Sequence, residues 1–328
     1  ARVDVGEILK RAGWETVEVH QSRKGGIRDK LKMAFVTVSD WQRVLRRIPR
    51  GACLLIQYPL APYHMVNVLA LPFLGRLHKK AKILMLIHDL DSIRFPKYQK
   101  RLQKIEKDFF RRADVLIAHN PQMRRYLEDC GFQGKIEELG VFDYLADRKN
   151  TEPKPVPPGV ILIAGSMDRG KAGYVYRLGE IAKELRYELY GPSYTPDTDA
   201  EHIEYKGEKK PEQLPDILNG QYGLIWDGPS VDTCLGGFGA YLKYNNPHKV
   251  SLYLACGIPV IIWKEAALAE FVQKNKVGIT VASLRELESA VKSVSEEEYK
   301  EMRRKAGEIG AEIRKGSYTL TAVERCLN

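Results

Sequence analysis

The chain has 328 residues, of which 44% are hydrophobic and 29% charged, and its 52 Lys and Arg outnumber 42 Asp and Glu. This balance is typical of a folded globular protein and excludes a disordered chain, and at roughly 150 residues per domain the length predicts two domains. No apolar run approaches the ~20 residues that a membrane-spanning helix requires, and the opening Ala-Arg-Val-Asp has no signal-peptide pattern.

The positive charge is concentrated in the first half of the chain. Residues 1–150 carry 29 Lys and Arg against 17 Asp and Glu, whereas residues 151–328 carry 23 against 25. A basic half indicates an anionic partner, such as a nucleic acid, a phosphate group or an acidic membrane surface. The five cysteines are widely spaced and form no CxxC pair, which argues against a disulfide framework or zinc site and favours reduced thiols in the cytoplasm.

Short apolar runs alternate with helical patterns, beginning with a helical pattern at 2–12 and a strand-like run at 16–20. Nearly continuous apolar runs are typical of parallel strands buried on both faces, and their alternation with helices predicts a doubly wound α/β protein. The predicted strands are 53–57, 83–88, 115–119, 160–164, 187–190, 223–226 and 258–263, and the helices between them include 97–112, 121–130 and 173–186.

Four prolines within 152–159 exclude a helix or central strand and predict a stiff linker between the domains. We therefore expect an N-terminal domain at 1–155 and a C-terminal domain at 156–315. A Rossmann-type domain normally begins with a strand and a phosphate-facing loop, so the helical pattern at 2–12 indicates that an opening strand is missing or disordered.

The segment after the predicted strand 223–226 carries the most specific pattern. The strand ends at Asp227, and a glycine-rich loop that includes Gly236 and Gly237 follows it. In open α/β sheets, ligands bind in the crevice at the carboxyl ends of the strands. Asp227 and the glycine loop are therefore candidate ligand-binding residues.

A helix is predicted to begin just beyond this loop, with Asn246 as N-cap and Pro247 as its first residue. A cation in the first turn is unfavourable against the helix dipole, so Lys249 indicates an anion bound by the backbone N–H groups of that turn. Asn246, His248 and Lys249 are therefore candidate phosphate-binding residues. An ordinary surface lysine is the alternative for Lys249.

A second glycine-containing turn follows the strand at 160–164. Gly165-x4-Gly170-Lys171 nearly matches the P-loop, whose backbone amides and lysine surround phosphates. Ala172 stands where the P-loop has the Ser or Thr that binds Mg²⁺, so the match fails at its metal ligand. A basic turn that contacts phosphate through Arg169 or Lys171 is the weaker prediction.

In the first half, His88 and Asp89 follow the predicted strand 83–88, where the chemistry of such sheets is usually done. The alternative is that Asp89 caps the following helix. Gln57, at the end of the preceding strand, is expected to line the same site.

The predicted helix 97–112 carries seven Lys and Arg around an apolar stripe. This spacing is amphipathic, with the stripe facing a core. The cations form either a solvated face or a contact with an anionic membrane or a lipid-phosphate acceptor, and the sequence leaves both open.

With these residues identified, the chain resembles a family of bacterial GT-B glycosyltransferases. The family includes β-1,6-galactofuranosyltransferases of polysaccharide assembly and glucosyltransferases that extend glycans on serine-rich adhesins. The motifs that carry the resemblance are LLIQYP, LIHDLDSIRF, ADVLIAHNPQM, VILIAGSMDRGKAGYVY, LYGP, GLIWDG and the long, specific DTCLGGFGAYLKYNNPHKVSLYLACGIPVII.

The resemblance implies two Rossmann-like domains facing a cleft, with the donor on the C-terminal domain and the acceptor on the N-terminal domain. Residues 316–328 would form a helix that crosses back to the first domain. One departure from many GT-B enzymes is Leu252, which replaces the second glutamate of a Glu-x7-Glu pair. The implied donor-site residues are Arg169, Lys171, Asp227, Gly236, Gly237, Asn246, His248 and Lys249.

The sequence therefore predicts a cytoplasmic, metal-independent glycosyltransferase without a cofactor, which uses UDP-galactofuranose or UDP-glucose and a glycan, lipid-linked or glycoprotein acceptor. Asp89 is the predicted general base and His88 the alternative. The rival hypotheses are a non-catalytic, glycosyltransferase-like binding subunit and a P-loop-like nucleotidase. Peripheral contact with the inner face of an anionic membrane and a homo-oligomer stay open, and no nucleic acid is expected because no nucleic-acid motif is present.

Overall fold

The computed structural model describes residues 1–20, 27–60, 64–146, 155–195 and 201–328. The chain divides into two compact units. The N-terminal unit consists of Arg2–Leu139 together with Leu320–Asn328, and the C-terminal unit consists of Gly140–Thr319 together with Ala1. Each unit is built on one parallel sheet and has a Rossmann-like α/β arrangement.

The N-terminal unit contains a parallel sheet in the order β1-β2-β3-β4. Its elements in chain order are α1 (Arg2–Arg11), α2 (Ile27–Arg47), β1 (Cys53–Tyr58), α3 (His64–Leu77), β2 (Lys82–Ile87), α4 (Asp91–Arg94), α5 (Gln99–Phe110), β3 (Val115–Ala118), α6 (Pro121–Asp129) and β4 (Lys135–Glu138). A 3-10 turn at 96–98 precedes α5. The central strand β2 is buried without interruption from Ile83 to Ile87, as expected for a strand with both faces covered.

The C-terminal unit contains the second parallel sheet. Its elements are β5 (Val160–Ala164), α7 (Arg169–Ala172), β6 (Arg186–Tyr190), β7 (Ile203–Tyr205), α8 (Leu214–Ile217), β8 (Tyr222–Ile225), α9 (Gly236–Tyr241), α10 (His248–Ala255), β9 (Val260–Trp263), α11 (Ala269–Asn275), β10 (Gly278–Val281), α12 (Leu287–Lys292) and α13 (Glu296–Lys315). The last helix, α14 (Ser317–Leu327), starts in this unit, and its residues from Leu320 onwards belong to the N-terminal unit.

The strand order of the second sheet is β10-β9-β8-β5-β6-β7. From β5 the chain moves outward through β6 and β7, and it then returns to the other side of β5 with β8. This reversal is a topological switch point, where the loops after β5 and β8 diverge and leave a crevice at the carboxyl ends of the strands.

The division between the units lies at Leu139/Gly140, well before the boundary predicted near 155. Residues after Gly140 pack in the C-terminal unit, because the Asp143 carboxylate accepts backbone N–H bonds from Tyr318 and Thr319. In addition, the Tyr144 hydroxyl donates to the carbonyl of Pro211. The first part of the proline-rich segment, 152–154, lies outside the described residues.

All seven predicted strands are present, with ends that differ by up to two residues. The predicted helix at 173–186 is wrong, because a 3-10 helix at 173–180 occupies its first part and β6 begins at Arg186. The strand-like run at 16–20 has no regular secondary structure. Among the described residues, every helix is too short or too polar to cross a bilayer.

Candidate functional site

The switch point of the C-terminal sheet brings together the loops after β5 and β8 and the start of α10. The backbones approach closely there, which requires glycine. Gly228, just after β8, has φ +108°, and a Cβ on it would lie 2.4 Å from the carbonyl oxygen of Leu235. Gly165 ends β5 with φ +132°, and a Cβ there would lie 3.8 Å from Cδ of Lys249. Gly228 therefore lets the loop after β8 fold back against Leu235, and Gly165 lies in contact with the Lys249 side chain.

Lys249 forms an ion pair with Asp227 at the centre of this site. Its Nζ lies 3.0 Å from Oδ1 of Asp227 and 3.5 Å from the carbonyl oxygen of Trp226. Both side chains are mostly buried, with 17% of Lys249 and 9% of Asp227 exposed. The two residues were predicted separately as ligand contacts, and the structure shows that one positions the other.

Tyr174 is a member of this site that the sequence did not reveal. Its side chain is fully buried, and its backbone N–H donates to the carbonyl of Gly228 over 3.2 Å. Burial, together with the nearby negative charge of Asp227, raises the pKa of its hydroxyl well above the usual 10. The Tyr174 hydroxyl therefore stays neutral beside Asp227. Its position within a run of apolar residues gave no polar signal.

The predicted capping of α10 by Asn246 is wrong. The helix begins at His248, and its N-cap is Pro247, which makes no side-chain cap. The Asn246 Nδ2 instead donates to the carbonyl of Gly140 over 2.8 Å. His248 donates from Nε2 to the carbonyl of Asp143 over 3.1 Å. Both side chains hold the segment that follows Gly140, and a direct contact with a ligand stays a prediction for them.

Arg169 and Lys171 lie on the one-turn helix α7, which follows β5. The Arg169 guanidinium lies 3.9 Å from the centre of the Tyr176 ring, and the Lys171 Nζ lies 5.7 Å from that of Phe238. The Lys171 carbonyl accepts the N–H of Gly228 over 2.6 Å, which ties α7 to the loop after β8. A four-residue helix that continues as a 3-10 helix is unlike the long helix of a P-loop.

The glycine loop after β8 forms the short helix α9. Gly236 begins it with φ +73°, and Gly237 is its second residue. Gly239 also lies on α9 and approaches the backbone closely, since a Cβ on it would lie 2.7 Å from the carbonyl oxygen of Asp227. Gly236 and Gly237 were predicted from the sequence, whereas Gly239, which holds α9 against Asp227, was not.

In the N-terminal unit, His88 and Asp89 lie at the carboxyl end of β2, where they were predicted. His88 Nε2 lies 2.8 Å from Oε1 of Gln57, as expected for two strand ends that line one site. Asp89 forms an ion pair with Arg94, with 2.9 Å between Oδ2 and Nη1. A carboxylate oxygen of Asp91 lies 3.4 Å from the same Arg94 nitrogen.

Arg2 is an unpredicted member of this strand-end cluster. Its guanidinium donates to the carbonyls of Gln57 and Pro59 over 3.2 and 2.5 Å. Burial lowers its pKa, and the negative charges of Asp89 and Asp91 oppose that effect. Arg2 therefore links α1 to the end of β1, beside the strand end of β2 that carries the candidate base.

Glu106 of α5 forms hydrogen bonds with α4, the short helix that follows β2. Its carboxylate accepts the backbone N–H of Ser92 over 2.9 Å and the Ser92 hydroxyl over 2.5 Å. Burial raises the pKa of Glu106 from 4.5 to about 7, against the lowering effect of these two hydrogen bonds. The carboxylate is therefore a buried group that titrates near neutral pH.

This raised pKa predicts a pH dependence of stability. The folded chain binds the Glu106 proton more tightly than the unfolded chain, so the free energy of unfolding falls as pH rises from 4.5 through about 7. The full effect is about 3 kcal/mol. Urea denaturation at pH 5 and pH 8 measures this effect. Between these two pH values, the free energy of unfolding should fall less in the Glu106→Gln variant than in the parent protein. Glu128→Gln, at an exposed position of α6, is the control, and an equal pH dependence in all three proteins would contradict the assignment.

Comparison with known proteins identifies the family of the chain. The profile described as the N-terminal domain of glucosyltransferase 3-like proteins matches residues 1–141, and the corresponding C-terminal domain matches residues 161–326. The chain belongs to the glucosyltransferase 3-like family. The N-terminal match ends at 141, close to the structural division after Leu139.

Two relatives illustrate this family. The chain is 36% identical over 279 residues to the β-1,6-galactofuranosyltransferase WbbI of Escherichia coli strain K12, covering 84% of this chain and 79% of that protein. It is 26% identical over 245 residues to glucosyltransferase 3 of Streptococcus gordonii, covering 73% of this chain and 69% of the relative. The predicted family resemblance is therefore confirmed, and the chain is a glycosyltransferase.

Solved structures show the same fold at low sequence identity. Sucrose-phosphate synthase from Thermosynechococcus elongatus matches with a TM-score of 0.63 at 16% identity, covering 99% of this chain and 92% of that chain. Anabaena HepE in complex with UDP-glucose matches with a TM-score of 0.61 at 13% identity, covering 98% and 88%. The predicted GT-B class, with two Rossmann-like domains, is confirmed, and the hypothesis of a P-loop-like nucleotidase is not supported.

Proposed function

We propose that this glycosyltransferase moves a hexose, galactofuranose or glucose, from a UDP-sugar to a glycan, glycolipid or glycoprotein acceptor of cell-surface glycan synthesis. The names of the two relatives support these two sugars, and the HepE complexes with UDP and UDP-glucose support a uridine diphosphate donor. The C-terminal unit would bind the donor, and the N-terminal unit would bind the acceptor. A cytoplasmic location stays a prediction.

The observation that carries the proposal is the position of Lys249, in the first turn of α10 beside the switch point. Negative charge builds on the leaving UDP as the glycosidic bond breaks. The backbone N–H groups at the start of α10 and the Lys249 ammonium are fixed where they can stabilise that charge. Arg169 or Lys171 on α7 would add a second cation. In this arrangement, backbone N–H groups and side-chain cations would stabilise the charge on the leaving UDP, which is the role of a metal ion in other transferases.

In this proposal, Asp227 positions Lys249. Its carboxylate lies 3.0 Å from the Lys249 ammonium, so the cation is fixed in the site before the diphosphate arrives. The Tyr174 side chain, which is fully buried, packs beneath the site rather than opening into it. Asp227 therefore holds the cation in place, and Lys249 stabilises the charge that develops.

If the transfer inverts configuration, a general base must accept the proton of the acceptor hydroxyl. Asp89 is the proposed base, since its carboxylate lies at the end of β2, where Arg94 orients it. His88 is the alternative. Its Nε2–H donates to Gln57, which leaves the lone pair of the neutral ring on Nδ1.

Calorimetric titration with UDP, ADP and ATP, each with and without EDTA, tests the donor and its independence of metal. We expect UDP to bind with the same affinity in both conditions and the adenine nucleotides to bind more weakly. Tight Mg-ATP binding without a UDP signal would contradict the proposal. Turnover of UDP-galactofuranose or UDP-glucose with lipid-linked or glycopeptide acceptors then tests the transfer, and UDP binding without any turnover would favour a non-catalytic binding subunit.

A further inference from the structure

The N-terminal unit carries a basic surface that contains none of the residues proposed for the transfer. We define the basic face as Lys97, Lys100, Arg101, Lys104 and Lys107, on α5 and the turn before it. All five side chains are exposed. None of them has a carboxylate partner among the residues that the structure describes. A cluster of exposed cations without counter-charges produces a positive surface potential, which attracts anions.

The basic face is held in place by the buried side chains on the opposite side of α5. Leu102, Glu106, Phe109 and Phe110 are buried in the unit. Phe109 and Phe110 both pack against the Tyr58 ring, with ring centres 5.2 and 5.1 Å apart. The cations therefore project from a fixed helix, and their spacing is a property of the fold.

A groove of about 570 Å³ runs along the basic face between α5 and the end of α6. Lys100, Lys104 and Lys107 form one wall, and Leu127 and Phe132 contribute apolar atoms to the other. The lining includes one carboxylate, Asp108, which forms an ion pair with Arg111. The groove therefore combines cations with apolar surface and has little negative charge of its own.

Two exposed aromatic side chains lie at the start of the basic face. Phe95 is 40% exposed and Tyr98 is 54% exposed. The Arg94 guanidinium lies 5.5 Å from the Phe95 ring centre, and the Lys97 ammonium lies 5.7 Å from that of Tyr98. Aromatic rings beside cations are typical of segments at the membrane–water interface, where the ring enters the head-group region and the cation binds phosphate.

We propose that the basic face and its two aromatic side chains bind the surface of an anionic phospholipid bilayer. The Lys side chains contact lipid phosphates, the groove accepts a head group, and Phe95 and Tyr98 enter the interface. A merely solvated face would explain the lysines but not the two exposed rings beside them. This proposal is independent of the donor, because all of its residues lie in the N-terminal unit and none belongs to the proposed donor site.

The electrostatic part of this interaction has a predictable size. A Lys near an anionic bilayer contributes about 1 kcal/mol, which is roughly a fivefold change in partition coefficient. Loss of three lysines should therefore weaken binding by roughly 100-fold. Because screening by salt acts on exposed charges, binding should also weaken steeply between 0.1 and 0.5 M NaCl, at a Debye length of about 10 Å or less.

Flotation of the full chain with phosphatidylcholine vesicles, with and without about 30% phosphatidylglycerol, tests the proposal. We expect binding to the mixed vesicles alone. Lys100→Gln/Lys104→Gln/Lys107→Gln should lose nearly all of it, and Phe95→Ala/Tyr98→Ala should lose part of it at equal charge. The matched control is Lys183→Gln/Lys209→Gln/Lys274→Gln, which removes three exposed lysines from the C-terminal unit. It should bind like the parent protein.

Three outcomes would overturn the proposal. The first is no preference of the parent protein for vesicles that contain phosphatidylglycerol. The second is an equal loss of vesicle binding in the control triple variant, which would show that binding depends on the net charge of the protein and not on the basic face. The third is displacement from the vesicles by random-sequence DNA at equal phosphate concentration, which would assign the basic face to nucleic acid. Circular dichroism of each variant excludes loss of folding as the cause.

Discussion

Lys249→Met is expected to weaken UDP binding by about 2 kcal/mol, or roughly 30-fold, and to remove measurable glycosyl transfer. The substitution keeps the aliphatic stem that passes Gly165 and removes the ammonium that would contact the diphosphate. Calorimetric titration with UDP measures the first effect, and release of UDP from the sugar donor measures the second. Lys274→Met, on the exposed side of α11, is the control for loss of one positive charge.

The ion pair with Asp227 means that Lys249→Met changes stability as well as ligand binding, and a double variant separates the two effects. Lys249→Met leaves a mostly buried carboxylate without its cation, which should cost about 3 kcal/mol of stability. Lys249→Met/Asp227→Asn removes both charges and should recover most of that stability. If Lys249 binds the diphosphate, UDP affinity stays low in the double variant. If UDP affinity recovers together with stability, Lys249 has only a structural role and the proposed donor site is wrong.

The sheets were predictable because their inner strands are buried on both faces. A strand such as β5, Val160–Ala164, is apolar at every position and has one interpretation. The edge strands β4, β7 and β10 were missed. Lys135–Glu138 and Ile203–Tyr205 carry charged residues, and Gly278–Val281 is only four residues long and begins with glycine. In a segment of three or four residues, the alternation of apolar and polar side chains is too short to distinguish a strand from a loop.

The candidate site was predictable residue by residue but not as an arrangement. Asp227 and Lys249 were each identifiable from a strand end and a helix start. Their pairing depends on the direction in which α10 leaves the sheet, which local sequence does not specify. Asn246 shows the same limit, because its hydrogen bond to Gly140 joins residues far apart in the chain, whereas its local pattern predicted a helix cap.

Gly310→Ala is expected to destabilise the C-terminal unit by about 2–3 kcal/mol, the largest effect that we predict for the loss of a single glycine. Gly310 lies on α13 where this helix packs against α10, and a Cβ on it would lie 2.0 Å from the carbonyl oxygen of Leu254 and 3.3 Å from Cα of Ala255. Both atoms belong to the backbone and cannot rotate away. The two helices must therefore separate, and the start of α10, with Lys249, moves with them.

Gly307 provides a matched control one turn earlier on the same helix. A Cβ at this position meets no atom within 4 Å, so Gly307→Ala should stabilise the helix by about 0.5–1 kcal/mol through helix propensity alone. Urea denaturation followed by tryptophan fluorescence compares the two variants, and UDP titration of the folded proteins reports the displacement of α10. We expect opposite signs in stability and a loss of UDP affinity in Gly310→Ala alone. Equal stability of the two variants would show that the contact between α13 and α10 does not hold the donor site in place.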